Sequence, residues 1–275
     1  FAVVIDKTDN AVANQYHQPT VRPMAVCPCG KPPCQAVLRA CAYNYTADAR
    51  HAPPTASPRS DTNKLKKGIV MKILVINAGS SSCKYQLLEM DTRAVLATGL
   101  AERIGQEGGR LTHKIAPDTD KEDKLVREAF FPTHVEAMEL VIALLTDAEK
   151  GVIKDKSEIY AIGHRVLHGG EAVSDPVLVN ERVKQIVEEC AVLGPLHNPA
   201  NLMGIEVAEK LFPGVPNVAV FDTEFGMGMP KEAFMYALPY EMYEELRIRR
   251  YGFHGTSHKY IANATAEFLG KPLSE

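Results

Sequence analysis

Apolar and polar positions along the chain fall into short blocks that favour strands first and helices later. Lys72-Ile-Leu-Val-Ile-Asn77 is an apolar run that breaks into Ala-Gly-Ser-Ser-Ser, the pattern of a buried strand entering a tight turn. Residues 83–90, 94–100 and 111–115 repeat the strand pattern at short intervals, as a hairpin meander would. From Thr133 the period changes. Thr133-His-Val-Glu136 reads as a capping box, and Val135, Met138, Ile142 and Leu145 form a helical stripe behind it. Residues 160–166 are a further strand. Asn180 is placed to cap a helix with Val183, Ile186, Val187 and Cys190 inward. Asn198-Pro199 opens another, with proline at its first position, where a missing N–H costs nothing. Residues 218–221 form a strand that delivers Asp222 at its end. Ser257 is predicted to begin a last helix, with Ile261, Ala264 and Phe268 inward and Gly270 as its stop. A meander followed by strands alternating with helices predicts an α/β fold, a mixed sheet covered by helices.

Composition divides the chain near residue 70. Residues 1–70 carry nine Lys+Arg against four Asp+Glu, a net of +5, while the rest carries 22 against 30, a net of -8. Eight of the 18 prolines and four of the six cysteines also fall in the first segment. Without a sustained apolar face, residues 1–70 are expected to be a disordered leader or upstream sequence read through into the chain. Cys27, Cys29, Cys34 and Cys41 lack the paired C-x2-C knuckles of zinc sites, so metal binding there is not expected. Arg22, Arg39, Arg50 and Arg59 would suit a transit peptide, but Asp6, Asp9, Asp48 and Asp61 oppose it. No apolar run reaches about 18 residues, which argues against a membrane-spanning helix. The overall net charge of -3 argues against a general nucleic-acid binder.

Five motifs could carry chemistry. In Asn77-Ala-Gly-Ser-Ser-Ser82, Gly79 permits close backbone approach, and N–H groups with three hydroxyls can ring an anion. Lys84 adds charge two residues further along the same strand face as Ser82. The same residues also suit a plain hairpin. In Gly163-His-Arg-Val-Leu-His-Gly-Gly-Glu171, Arg165 sits at a strand end, where its planar fork can take a carboxylate. His164 and His168 are four apart on a strand, too far for a tight metal clamp, so a structural role is expected for at least one. In Gly194-Pro-Leu-His-Asn-Pro-Ala-Asn201, His197 precedes a helix start with its free N–H groups, unless Asn198 merely caps the helix. Asp222 ends an apolar strand, where ligands of open sheets bind and where it could orient a nucleophile or meet Mg2+ through water. It could equally just start a turn. In Arg250-Tyr-Gly-Phe-His-Gly-Thr-Ser-His258, His254 lies between glycines, near enough to approach a ligand.

Taken together and in this order, MKILVINAGSSS, GHRVLHGGE, GPLHNPAN, VAVFDT and RYGFHGTSHKY resemble the acetate kinases over essentially all of residues 71–275. Propionate and butyrate kinases share that scaffold. The resemblance implies an actin/hexokinase-like, ribonuclease H-like ATPase fold, with residues 71–226 as the N-terminal kinase domain and 227–275 as the start of a second. It implies reversible phosphoryl transfer from ATP to acetate, giving acetyl phosphate and ADP, with Mg2+ as cofactor. It further implies a cytoplasmic location and a homodimer when full length. By the same resemblance Asn77 would lie by Mg2+ and the phosphates, with Ser80, Ser82 and Lys84 in the phosphate turn. Arg165 would bind the carboxylate, and Leu167, Leu196 and Phe253 would line the methyl pocket. Asp222 would act as acid/base or metal-orienting carboxylate. His254 would stabilise the transferring phosphoryl group with support from His197.

Two departures stand out. The family reads Ala-Phe-His-Gln-Thr-Met-Pro after FDT, whereas Glu224-Phe-Gly-Met-Gly-Met-Pro230 stands here. The family's Gly-rich nucleotide loops, a second active-site arginine and a late glutamate are expected beyond Glu275, so this chain alone is expected to be inactive. The competing reading is a module of the same fold that binds phosphate or a partner without catalysis. It would not require Arg165, Asp222 and His254 together.

Overall fold

The structure, a computed structural model, describes residues 70–273. The expectations for the leader and for Cys27, Cys29, Cys34 and Cys41 lie outside the described residues. Five strands come first: β1 (Lys72–Ala78), β2 (Ser82–Glu89), β3 (Ala94–Glu102), β4 (Arg110–Ile115) and β5 (Asp123–Glu128). Each pairs antiparallel with the next, as short connections require. Helix α1 (His134–Leu145) then crosses to β6 (Ile159–Val166), which lies parallel to β1. After β7 (Val177–Leu178), α2 (Glu181–Glu189) and α3 (Asn198–Leu211) lead to β8 (Asn217–Phe221), parallel to β6. The sheet order is β5-β4-β3-β2-β1-β6-β8-β7, a mixed sheet as expected. The short helices α4 (Lys231–Phe234) and α5 (Tyr240–Leu246) precede α6 (Gly255–Leu269).

Both faces of β1 are buried, which is why its sequence is a continuous apolar run rather than an alternating one. Leu74 and Ile76 face α1 and α3 in a core that also holds Leu87, Met138, Leu145 and Phe212. Ile73 and Val75 face the other way with Leu88, Val218 and Val220. Burying a Leu or Ile side chain contributes about 1.5–3 kcal/mol, so β1 is a main anchor of the fold.

Thr133 caps α1 in the expected capping box. The stripe is rotated from its prediction. His134, Ala137, Met138, Val141 and Leu145 are buried, whereas Val135 and Ile142 are only partly buried at its margin. Asn180 caps α2 as expected, and Val183, Ile186 and Val187 are buried. Pro199 is the second residue of α3 rather than the first, because Asn198 is already helical. The last helix departs most. It begins at Gly255, two residues before Ser257, and only Gly255 and Thr256 are buried. Ile261 and Phe268, predicted inward, are 54% and 87% exposed, because only the first turn of α6 meets the β8 end and residues 224–228.

His164 and His168 are both buried, and it is burial that keeps these two hydrogen-bonded imidazoles neutral. The His164 Nε2–H donates to Asn217 Oδ1 at 2.7 Å, an amide whose Nδ2 is engaged by the Val215 carbonyl. His168 Nδ1 accepts from the Gly170 N–H at 2.9 Å. Burial lowers both pKa values to about 4. An unfolded histidine titrates near about 6.5, so below that the unfolded chain binds protons that the folded chain refuses. The stability these residues contribute is therefore full above pH 6.5 and falls as pH drops toward 4. Thermal unfolding should show a midpoint declining steadily across that window, less steeply in His164→Gln. A flat profile would show that these imidazoles are charged or water-exposed in the native state.

Candidate active site

Three neighbouring parallel strands, β1, β6 and β8, end on the same side of the sheet. Each delivers a polar residue there: Asn77, Arg165 and Asp222. The three meet. Arg165 donates from Nε to Asp222 Oδ1 at 3.2 Å and from Nη2 to Oδ2 at 2.6 Å, a bidentate fork. Its remaining Nη1 reaches Asn77 Oδ1 at 3.4 Å. The Asp222 side chain is 1% exposed and that of Arg165 22%, so the pair sits at the floor of the site with the guanidinium outermost. The sequence assigned these residues separate roles without showing that each is the other's main partner. Lys84 pairs with Asn77 across β1 and β2 and is exposed beside it.

A cavity of about 480 Å³ opens two residues beyond Asn77, at the turn that follows β1. It is lined by Gly79, Ser80 and Ser82 from the turn after β1 and by Pro195, Leu196, His197, Pro199 and Ala200 before and within α3. The turn after β1 and the His197 segment, read separately in the sequence, thus form one concavity. His197 occupies the N-cap of α3 without a side-chain capping bond. Asn198 does not cap. Its buried side chain instead bonds both backbone groups of His168 and the Val187 carbonyl. Leu196 lines the cavity and is 78% exposed. Leu167 and Phe253 are not among the lining residues. Leu167 lies against Gly194, and Phe253 packs edge-on to His168 with ring centroids 6.0 Å apart.

His254 is exposed and holds a left-handed backbone at φ 56°, immediately before α6. Gly255 follows it with its N–H on the Asp222 carbonyl at 2.8 Å. A Cβ on Gly255 would lie 2.4 Å from that same oxygen, so only glycine permits this approach. The helix start and the backbone of Asp222 are therefore fastened together, which keeps His254 one residue from that contact.

The loop after Asp222 is a 3-10 turn over Glu224–Gly228. At Gly226, where the family pattern has histidine, a Cβ would lie 2.0 Å from the Tyr251 carbonyl, so this loop has no room for any side chain there. Glu224 is a residue whose position the sequence did not foretell. Its side chain is 1% exposed, with Oε1 on Lys259 Nζ at 3.0 Å and Oε2 without a partner among the described residues. Burial pushes its carboxyl pKa up. The folded state thus holds the proton more tightly than the unfolded state, and the burial cost appears as pH rises above about 4.5. Lys259 is 39% exposed and can return to water. Glu224→Ala is therefore expected to raise stability at pH 7 by about 1 kcal/mol and to change little near pH 4. A loss at pH 7 in chemical denaturation would show that the Lys259 pair outweighs the burial cost.

Sequence reading also missed a clamp on the segment after β8. Arg249 is 7% exposed, stacks 3.7 Å over the Phe234 ring and bonds Glu171 Oε1 at 2.5 Å, which Tyr243 also reaches. The partners lie 78 and 72 positions apart, so no local pattern announces them. Among the described residues no cluster of three His, Cys, Asp or Glu could hold a metal ion, and no helix is long and apolar enough to cross a membrane.

Residues 72–275 match the model of the Acetokinase family. The chain is 89% identical over 205 residues to a protein of Desulfovibrio desulfuricans named acetate kinase, covering 74% of this chain and 51% of that one. Among solved structures, a Porphyromonas gingivalis acetate kinase is 46% identical with a TM-score of 0.69, covering 74% of this chain and 50% of its own. A Francisella tularensis propionate kinase is 39% identical with a TM-score of 0.67, covering 73% and 50%. The chain spans about half the length of the curated relatives it matches.

Proposed function

Because the chain belongs to the acetokinase family, we propose that it supplies the carboxylate half of a kinase that moves a phosphoryl group between ATP and acetate. The observation that carries this reading is the Asn77–Arg165–Asp222 cluster at three adjacent strand ends and, two residues beyond Asn77, the cavity lined by Ser80, Ser82 and His197. Phosphoryl transfer asks a protein for positioning and charge neutralisation, and these groups supply both. Arg165 would turn part of its fork to the incoming carboxylate, with Asp222 holding the guanidinium plane from behind. The 77–82 turn would present its N–H and hydroxyl groups to phosphate oxygens, and His254 would face the transferring group. Asn77 Oδ1 and the Asp222 carboxylate, on the strand ends either side of β6, are hard oxygen donors that would hold Mg2+ once Arg165 turns away from them. Bound there, Mg2+ would neutralise phosphate charge.

Under the same reading residues 71–226 form the N-terminal kinase domain and 227–275 begin the next. A homodimer and a cytoplasmic location go with it. Propionate is the second reading for the carboxylate, supported by the likeness to the propionate kinase. One methylene is worth only about 1–3 kcal/mol of discrimination. The test joins residues 71–275 to the remaining half of the Desulfovibrio desulfuricans relative and traps acyl phosphate as hydroxamate. ATP-dependent product with acetate preferred over propionate and butyrate is expected. No product with any short carboxylate, from a folded protein, would overturn the reading.

A further inference from the structure

The turn after β1 is held by two side chains from two different helices. The carbonyl oxygen of Ala78 accepts from Asn201 Nδ2 at 2.9 Å, and the next carbonyl, Gly79, accepts from His134 Nε2 at 2.8 Å. Both side chains are buried, Asn201 at 2% and His134 at 3% exposure. They come from α3 and α1, 123 and 55 positions away. The Gly79 N–H closes the turn on Ser82 O at 2.8 Å. A carbonyl only accepts, so His134 carries its proton on Nε2 while this bond exists. The Asn201 amide is fixed in the same way, because its Oδ1 accepts from the Leu167 N–H at 3.0 Å.

Direction follows from these bonds. No peptide bond among the described residues is cis. In a planar trans peptide the carbonyl and the following N–H point opposite ways. Tying the Gly79 carbonyl to His134 therefore aims the Ser80 N–H away from the imidazole, on an exposed residue that lines the cavity. Asn201 does more than hold the turn. Its Oδ1 bond to Leu167 fixes the backbone two residues beyond Arg165, so one side chain sets the spacing between the turn and the Arg165 strand end. The reach depends on close packing: a Cβ on Gly204, one turn along α3, would lie 2.5 Å from the Ala78 Cβ.

We propose that His134 and Asn201 are positioning residues, which lock the turn so that the Ser80 N–H faces the phosphate and stays in register with Arg165. The proposal rests on the phosphate-binding reading of residues 77–82. It makes His134 a distant determinant of anion affinity although it lines no part of the cavity. His134→Leu removes the donor at similar volume, and His134→Gln restores an N–H close to the Nε2 position. Asn201→Asp keeps the acceptor for Leu167 but cannot donate to Ala78.

The test uses the 275-residue chain and tripolyphosphate as probe, followed by the Ser80 and Leu167 amide resonances. In the parent the Ser80 amide should move on titration. His134→Leu should weaken tripolyphosphate binding by about tenfold, the loss of one aligned hydrogen bond, with the Leu167 amide unmoved in the free protein. His134→Gln should bind within about threefold of the parent. Asn201→Asp should displace the Ser80 amide before any anion is added, because the Ala78 carbonyl loses its donor while the Leu167 N–H keeps its acceptor. If His134→Leu does not fold, His134→Gln and Asn201→Asp carry the test. Parent-like tripolyphosphate affinity in His134→Leu, or in its absence an undisturbed Ser80 amide in Asn201→Asp, would overturn the proposal alone. No response of residues 79–82 in the parent would overturn the phosphate reading of the turn, and the proposal with it.

Discussion

Arg165→Ala is expected to destabilise the fold by about 3–5 kcal/mol, more than Asp222→Asn does, although both break the same pair. The asymmetry comes from burial. Removing the guanidinium leaves the Asp222 carboxylate at 1% exposure with its bidentate partner gone, whereas removing the charge of Asp222 leaves an arginine already 22% exposed and able to reach water. In the joined protein, Arg165→Ala should also lower kcat/KM for acetate by about a thousandfold, through loss of both carboxylate binding and the alignment of Asp222. Asp222→Asn should act mainly on kcat, because it keeps a hydrogen-bonding side chain behind Arg165 but not the charge. Denaturant unfolding of the two variants beside steady-state kinetics checks this. Equal stability losses would mean that the carboxylate finds other partners, and unchanged kcat in Asp222→Asn would remove it from the chemistry.

The 275-residue chain assayed alone should form acetyl phosphate at least about a thousandfold more slowly than its joined counterpart. Its site is open: Leu196 is 78% and Phe253 45% exposed, and His197 and His254 also face solvent. Water in such a site weakens every charge interaction that the transfer relies on, and closure is what normally removes it. The hydroxamate assay on both proteins at equal concentration decides the matter. Activity within tenfold of the joined protein would show that the described half already encloses its substrates.

The strand ends were legible because a run such as Ile73–Ile76 must be buried, and the polar residue that stops it must then sit at the sheet edge. Asp222 was found that way and the glycines after Arg165 pointed to a second member, whereas Asn77 took its role only from the family resemblance. The Arg165–Asp222 pairing was not legible, since 57 residues separate them and nothing local links a fork to its carboxylate. The misread face of α6 has a similar cause. Ile261, Ala264 and Phe268 do recur at helical spacing, but periodicity reports a possible face and not whether anything packs on it. β5 escaped notice because Asp-Lys-Leu-Val-Arg-Glu shows no alternation, most of its residues being exposed. Glu224 reads as a surface residue by type, and only the fold of its loop puts it inside. His134 looked like one more residue behind a capping threonine, and its partner is a carbonyl, which leaves no mark on the sequence.

The two borders of the sheet show how such an extended set of strands avoids recruiting more. β5 forms one border, and it carries Asp123, Lys124, Arg127 and Glu128 in a strand of six. A foreign strand laid along it would have to bring its own side chains against alternating charges, which disfavours pairing. β7 forms the other border and is two residues long, enough for a bridge but too short to template a ladder. Growth of the sheet by strand addition is thus blocked at one end by charge and at the other by length.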